Sequence, residues 1–181
     1  IYRKNSWVIL YNFYKNVLFV APMIWSGFIT LFSGITTYDP VIHQFINMVY
    51  TSIPPVMFGV FNYEYSKEEL MRNPRYYIQG IYYKCFHMKR FIKFFFMGFF
   101  EGLIIFILSH YWYCEGNSNG FTHDFYGVGT VILAGVVTIA NLKVYLDMHF
   151  IDYFSLAVII LSVLSYYLSI LIFSNDYIFS K

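Results

Sequence analysis

The stretch Val41-Ile-His-Gln-Phe-Ile-Asn-Met-Val-Tyr-Thr-Ser-Ile-Pro-Pro-Val-Met-Phe-Gly-Val-Phe61 is apolar enough for a membrane interior, yet it carries two adjacent prolines. Each proline lacks a backbone N–H and clashes with the carbonyl four residues earlier, so a continuous helix cannot pass Pro54-Pro55 undisturbed. Inside a bilayer, broken backbone is tolerated only where protein or a water-filled cavity satisfies the freed carbonyls. Asn47, Thr51 and Ser52 precede the break and offer polarity where a plain anchor would carry Leu or Val. A broken helix with an amide beside it is the pattern of a transport path.

The rest of the chain has the same character. Of 181 residues, 59% are hydrophobic and 12% charged, and the mean hydropathy is +0.54. A soluble domain would carry about 25% charged residues. The deficit assigns an all-α fold, a polytopic membrane helical bundle. A net charge of +2 and the lack of a basic patch interleaved with aromatics argue against nucleic acid as a partner. Nineteen Tyr and twenty-one Phe suit membrane interfaces and carry no binding code of their own. Cys85 and Cys114 fall on opposite sides of the expected membrane, which argues against a disulfide, and neither has metal-ligand neighbours at a suitable spacing. The chain opens on Ile1 and turns apolar almost at once, so it reads as one transmembrane domain, 1–181, belonging to a larger chain.

A hydrocarbon core about 30 Å thick needs roughly 20 apolar helical residues. Five stretches meet that length: 7–32, 41–61, 91–113, 125–146 and 151–173, with Pro22 as the expected kink of the first. Ser33-Gly34 and Tyr38-Asp39-Pro40 make the turn into the second span, 115–120 a flexible loop, and 147–152 a tight one. The long polar connection 62–90 and its edges hold Lys67, Arg72, Arg75, Lys84, Lys89, Arg90 and Lys93, seven of the twelve basic residues. Loops 33–40 and 114–124 hold none. The positive-inside rule therefore puts the N-terminus, the 62–90 connection and the 147–152 turn in the cytosol. An odd number of spans leaves Lys181 on the far side, as if a further span followed.

Several polar residues inside the spans need a reason. A lysine at the bilayer centre costs about 2.5–3.5 kcal/mol on insertion scales. Lys15 either snorkels to headgroups from near the cytosolic end or joins a buried polar cluster with Asn12 and Asn16. Asn47 is either an interhelical hydrogen bond worth about 0.6 kcal/mol or part of a lined cavity beside the break. Glu101, between Gly98 and Gly102, reads as a paired structural carboxylate before it reads as a proton carrier. His43, His110, His123 and His149 lie near span ends and His87 in the connection, with no metal-site spacing among them. No phosphate-binding loop or Ser-His-Asp set occurs, so no residue here hydrolyses a nucleotide by itself.

Taken in order, the segments Ile9-Leu-Tyr-Asn-Phe-Tyr-Lys-Asn16, Phe28-Ile-Thr-Leu-Phe-Ser-Gly34, Asn47-Met-Val-Tyr-Thr-Ser-Ile-Pro-Pro55, Gly59-Val-Phe-Asn62, Leu70-Met-Arg-Asn-Pro-Arg-Tyr-Tyr77 and Asn141-Leu-Lys143 resemble the fifth to eighth membrane helices of the type IV P-type ATPases, the phospholipid flippases. The resemblance runs through the ninth helix and leaves the tenth outside the chain. It implies an ATP-driven transporter moving phospholipid from the outer to the cytosolic leaflet, with ATP and Mg2+ handled elsewhere in the full-length protein. It also implies an accessory membrane subunit alongside the phospholipid substrate and the surrounding membrane lipids.

By the same resemblance, Lys15 couples lipid binding to dephosphorylation and Asn47 lies near the headgroup path. Asn16, Thr51, Ser52, Pro54, Thr30 and Ser33 complete the candidate set. Two positions depart from the family pattern: its frequent Asn in the aromatic run is Thr30 here, and its Gln after Ser-Gly is Ile35. Both bear on headgroup selection, so a lipid preference is not carried over. The alternative is a flippase-like membrane module, without pumping, that regulates a fused or associated nucleotide cyclase. A purely structural scaffold would account for the spans but not for Lys15, Asn47 and Pro54 together.

Overall fold

Helices satisfy every backbone group within one segment, which is what a long apolar run needs in hydrocarbon. The computed structural model describes residues 2–34, 36–63, 65, 67–73, 75, 78–81, 85–114, 125–149 and 152–173, and these contain helices and no strand. In chain order, α1 is Tyr2–Ile29, α2 is Pro40–Phe45, a π-helical turn covers Ile46–Tyr50, and α3 is Ile53–Phe61. Short helices α4, Lys67–Arg72, and α5, Ile78–Ile81, lie in the connection. Three long helices follow: α6, Met88–Cys114; α7, Phe125–Asp147; and α8, Tyr153–Phe173. Ile35, the 115–120 loop, His123, Pro74, Tyr76, Tyr77, Lys84 and Lys181 lie outside the described residues.

Four helices, α1, α6, α7 and α8, are long and apolar enough to cross a membrane. The second expected span, 41–61, is not a fifth continuous helix. It is assembled from α2, the π turn and α3, and it packs against α1, α7 and α8. The first span also differs from the expected 7–32: α1 already runs from Tyr2 and stops at Ile29. Leu31 and Phe32 then turn the chain with φ of 51° and 54°. Few side chains adopt that left-handed region, so the turn ends the helix three residues before the apolar run does.

The most extensive helix–helix seam joins α1 to α6, and glycine makes its close approach possible. A Cβ on Gly98 would stand 2.9 Å from the Tyr14 carbonyl oxygen. One on Gly102 would stand 2.7 Å from the Ala21 Cβ and 3.3 Å from the Leu18 carbonyl, the group that Pro22 leaves without its helical donor. Gly98 and Gly102 form a Gly-x-x-x-Gly step, the small-residue spacing that lets membrane helices approach closely. Glu101 projects from the same stretch and accepts a hydrogen bond from the Tyr14 hydroxyl. The intramembrane carboxyl is thereby tied into the seam.

The buried core gathers Tyr11, Tyr14 and Leu18 of α1, Ile105 and Phe106 of α6, Ile132, Val136 and Val144 of α7, and Tyr166 of α8. Asp39 caps α2 by accepting from the amides of Val41 at 2.9 Å and Ile42 at 3.2 Å, with Pro40 pre-set for the first turn. Adding a methyl group to a filled seam costs about 1–3 kcal/mol. Gly98→Ala should therefore lower the thermal unfolding midpoint of the purified full-length protein clearly. Gly59→Ala should not, since its Cβ would meet only Val8 at 3.7 Å. Equal midpoints for the two variants would contradict the seam.

Candidate functional site

Pro54 and Pro55 do not kink a helix from within; they begin one. Both sit in the first turn of α3, where their fixed φ fits and a missing N–H is harmless. The break precedes them, at Thr51-Ser52 and the π turn. Of the four amides that a helix start leaves without partners, two do not exist here because they belong to proline. The difficulty moves to the carbonyls upstream.

Three of those carbonyls have donors from side chains or from the π turn. The Ile46 oxygen accepts from the Thr51 amide at 3.1 Å, the five-residue step of a π turn, and from the Thr51 hydroxyl at 2.7 Å. The Asn47 oxygen accepts from the Ser52 hydroxyl. The Tyr50 oxygen would be the partner of the absent Pro54 N–H. It accepts instead from the Asn141 Nδ2 of α7 at 3.0 Å and the Ser162 Oγ of α8 at 2.6 Å. Asn141 is fully buried and gives its second amide proton to the Val137 carbonyl at 2.9 Å, leaving its Oδ1 without a partner. Tyr50 is held further through its ring, edge-on to Tyr166 with centroids 5.3 Å apart, and through its hydroxyl, 2.6 Å from the Ser169 Oγ.

Around this break the expected site residues divide. Asn47 lies in the π turn with its side chain exposed, Thr51 is buried, Ser52 half-buried and Pro54 buried. Lys15 belongs to the α1 face formed by Val8, Asn12, Lys15 and Phe19, spaced as one helical stripe. Val8 lies against Gly59 of α3, and Phe19 stacks on His43 of α2 at 5.0 Å. Lying between them on an antiparallel helix, half-buried Lys15 is level with the π turn. Among the described residues, neither its ammonium group nor the Asn47 amide has a hydrogen-bonding or ionic partner. Asn16 is exposed on the neighbouring face.

Thr30 and Ser33 are not at the break. They lie at the opposite end of α1, where the Thr30 hydroxyl donates to the Ser26 carbonyl at 3.0 Å and the Ser33 amide to the Thr30 carbonyl at 3.2 Å. Thr30 thus works as a helix-end cap. Ser26 and Thr37 join their hydroxyls at 2.9 Å beside it, fixing the turn.

At the end of the bundle where α1 and α6 begin and α3 and α7 finish, a cavity of about 340 Å³ opens. Arg3, Lys4, Arg90, Lys93 and Lys143 line it, with Asp147 as the one acidic lining residue among the described residues. Asp147 accepts from the Trp7 indole at 2.9 Å and pairs with Lys143 at 3.3 Å. Asn62 caps the end of α3 and accepts the His149 amide at 3.0 Å, tying that helix to the turn between α7 and α8.

Sequence reading singled out the residues of the break and missed its holders. Asn141 entered only as part of a motif, and Ser162 not at all. The available signal was a count: Pro54 removes the helical donor of the Tyr50 carbonyl, and the donors that replace it come from other helices.

These features define the class, a polytopic helical membrane domain with a discontinuous helix packed inside the bundle. Residues 1–181 match the family model described as phospholipid-translocating P-type ATPase C-terminal, and the chain belongs to that family. It is similar to phospholipid-transporting ATPase VD of Homo sapiens, with 31% identity over 172 residues, covering 95% of this chain and 12% of the relative. It is also similar to probable phospholipid-transporting ATPase 5 of Arabidopsis thaliana, 30% identical over 175 residues, covering 96% of this chain and 14% of the relative. The chain therefore spans about an eighth of the length of these relatives.

Proposed function

We propose that this chain is the membrane-transport portion of an ATP-driven phospholipid flippase, moving lipid from the outer to the cytosolic leaflet. One observation carries the reading: a packed break in a membrane-depth helix, with an exposed amide at Asn47 and, at about the same level, a Lys15 ammonium that has no hydrogen-bonding or ionic partner among the described residues. An ammonium and an amide are donors suited to phosphate and ester oxygens of a headgroup. Thr51, Ser52 and Pro54 shape the backbone beside them, and Asn16 borders the path. Thr30 and Ser33 act at the far mouth through the turn they cap.

Membership in a phospholipid-translocating ATPase family supports this reading. Among the described residues no three carboxylate, imidazole or thiol groups converge to hold a metal ion, so no step through Mg2+ is assigned to this chain. ATP and its Mg2+ belong, in the proposal, to parts of the protein beyond these residues, and an accessory membrane subunit to the assembled transporter. The cytosol faces the basic cavity, since Arg3, Lys4, Arg90, Lys93 and Lys143 cluster there and the positive-inside rule favours that side.

In the full-length protein, Lys15→Ala and Asn47→Ala should each reduce lipid-stimulated ATPase activity several-fold while leaving expression close to wild type. Unchanged stimulation in both would remove these residues from the path. Orientation is checked separately, in a background with Cys85→Ser and Cys114→Ser. In sealed vesicles with the cytosolic face inside, a membrane-impermeant maleimide should label Thr36→Cys and spare Met88→Cys, both exposed positions. Labelling in the opposite order reverses the topology.

A further inference from the structure

We propose that Asn141 and Ser162 are positioning residues for lipid transport, acting through the Tyr50 carbonyl to hold the break in its working geometry. This rests on the transport reading above. Pro54 has no N–H, so the Tyr50 oxygen has no donor within its own helix, and at membrane depth no solvent replaces it. The two donors that reach it come from two other helices, Asn141 of α7 and Ser162 of α8.

Asn141 is arranged as a donor at a cost to itself. Both of its amide protons are used, on Tyr50 and Val137, while its Oδ1 is buried without a partner. A buried acceptor left open is unfavourable, and a Leu of similar volume would avoid that cost. What Leu could not do is donate to the Tyr50 oxygen. Ser162 is also buried, and its hydroxyl reaches the same oxygen from the other side. The three helices meet at one atom, four residues before Pro54 and three after Asn47. Any sliding or rotation of α7 against α8 therefore acts directly on the turn that presents Asn47. The break is adjustable in position only as far as these two donors follow it.

The full-length protein reconstituted in phosphatidylcholine vesicles, doped in turn with phosphatidylserine or phosphatidylethanolamine, provides the test. Ser162→Ala and Asn141→Leu should raise the lipid concentration giving half-maximal ATPase stimulation by roughly three- to tenfold, the size expected for one lost hydrogen bond. Ser162→Thr, which keeps the hydroxyl, should restore the wild-type value. Tyr11→Phe is the control: it removes a buried hydroxyl bond to the Ala140 carbonyl, 3.1 Å long and next to Asn141, that does not touch the break. It should leave the half-stimulating concentration unchanged.

Hydrogen–deuterium exchange supplies the second readout. Amides of 46–53 should exchange faster in Ser162→Ala than in Tyr11→Phe, with 128–136 unaffected. If Asn141→Leu fails to accumulate, the Ser162 variants decide the matter alone. Lipid stimulation present, with Ser162→Ala matching Tyr11→Phe in both readouts, overturns the positioning role and leaves the transport reading intact. A wild-type protein that no lipid stimulates would overturn both.

Discussion

A peptide carbonyl in hydrocarbon has to find a donor, and the Tyr50 carbonyl cannot find one in its own helix. An unsatisfied group at that depth costs several kcal/mol. Much of the arrangement of this molecule follows from meeting that demand. The Asn141 amide from α7 and the Ser162 hydroxyl from α8 converge on it, Tyr166 packs edge-on against the Tyr50 ring, and Ser169 takes up the Tyr50 hydroxyl. Along α8, Ser165 and Ser169 bond carbonyls of their own helix, as serines in membrane helices commonly do. Against the broken neighbour, Ser162 supplies a missing donor.

The opposite face of the broken element is organised by α1, and α1 is fixed by a different force. With no hydrophobic drive between helices inside lipid, close approach has to come from small residues and from hydrogen bonds. Gly98 and Gly102 let the α1 backbone into contact with α6, and Tyr14 secures Glu101 across the same seam. That placement turns the Val8, Asn12, Lys15 and Phe19 stripe toward α2, the π turn and α3. Lys15 comes level with Asn47 because α1 is held from behind, so the glycine seam bears on the proposed path without touching it.

The transport reading and the family membership meet at the break. The family model covers the whole chain, and the chain is about an eighth of the relatives' length. What this segment contributes, on the proposed reading, is a polar interruption at membrane depth held by side chains of other helices. Such an interruption is an expensive feature for a passive scaffold.

Much of the fold was legible in the sequence because each relevant signal is local. Apolar runs of membrane length gave α1, α6, α7 and α8, and Pro54-Pro55 announced a discontinuity in the stretch between α1 and α6. Asp39-Pro40 marked the start of α2, and basic residues at one end of the spans suggested an orientation. The exact site of the break was less legible. Proline suits a helix start as well as it disrupts a helix interior, and only the packed structure shows that α3 begins at Ile53 with the π turn and Thr51-Ser52 before it. The end of α1 at Ile29 was likewise set by the turn through Leu31 and Phe32, which no change in hydropathy marks. Thr30 and Ser33 lie far from the break because α1 runs antiparallel to the broken span and ends beyond α2.

By itself, then, the sequence determined that this is a helical membrane domain and pointed to a discontinuity at Pro54-Pro55, because two adjacent prolines remove two backbone donors in hydrocarbon, whereas the single Pro22 leaves α1 continuous. The tertiary structure decided what holds the broken span. Donors for a freed carbonyl can come from any neighbouring helix, and Asn141 and Ser162 stand 91 and 112 residues away from Tyr50 in the chain. No local pattern encodes that meeting; it exists only once α7 and α8 are packed.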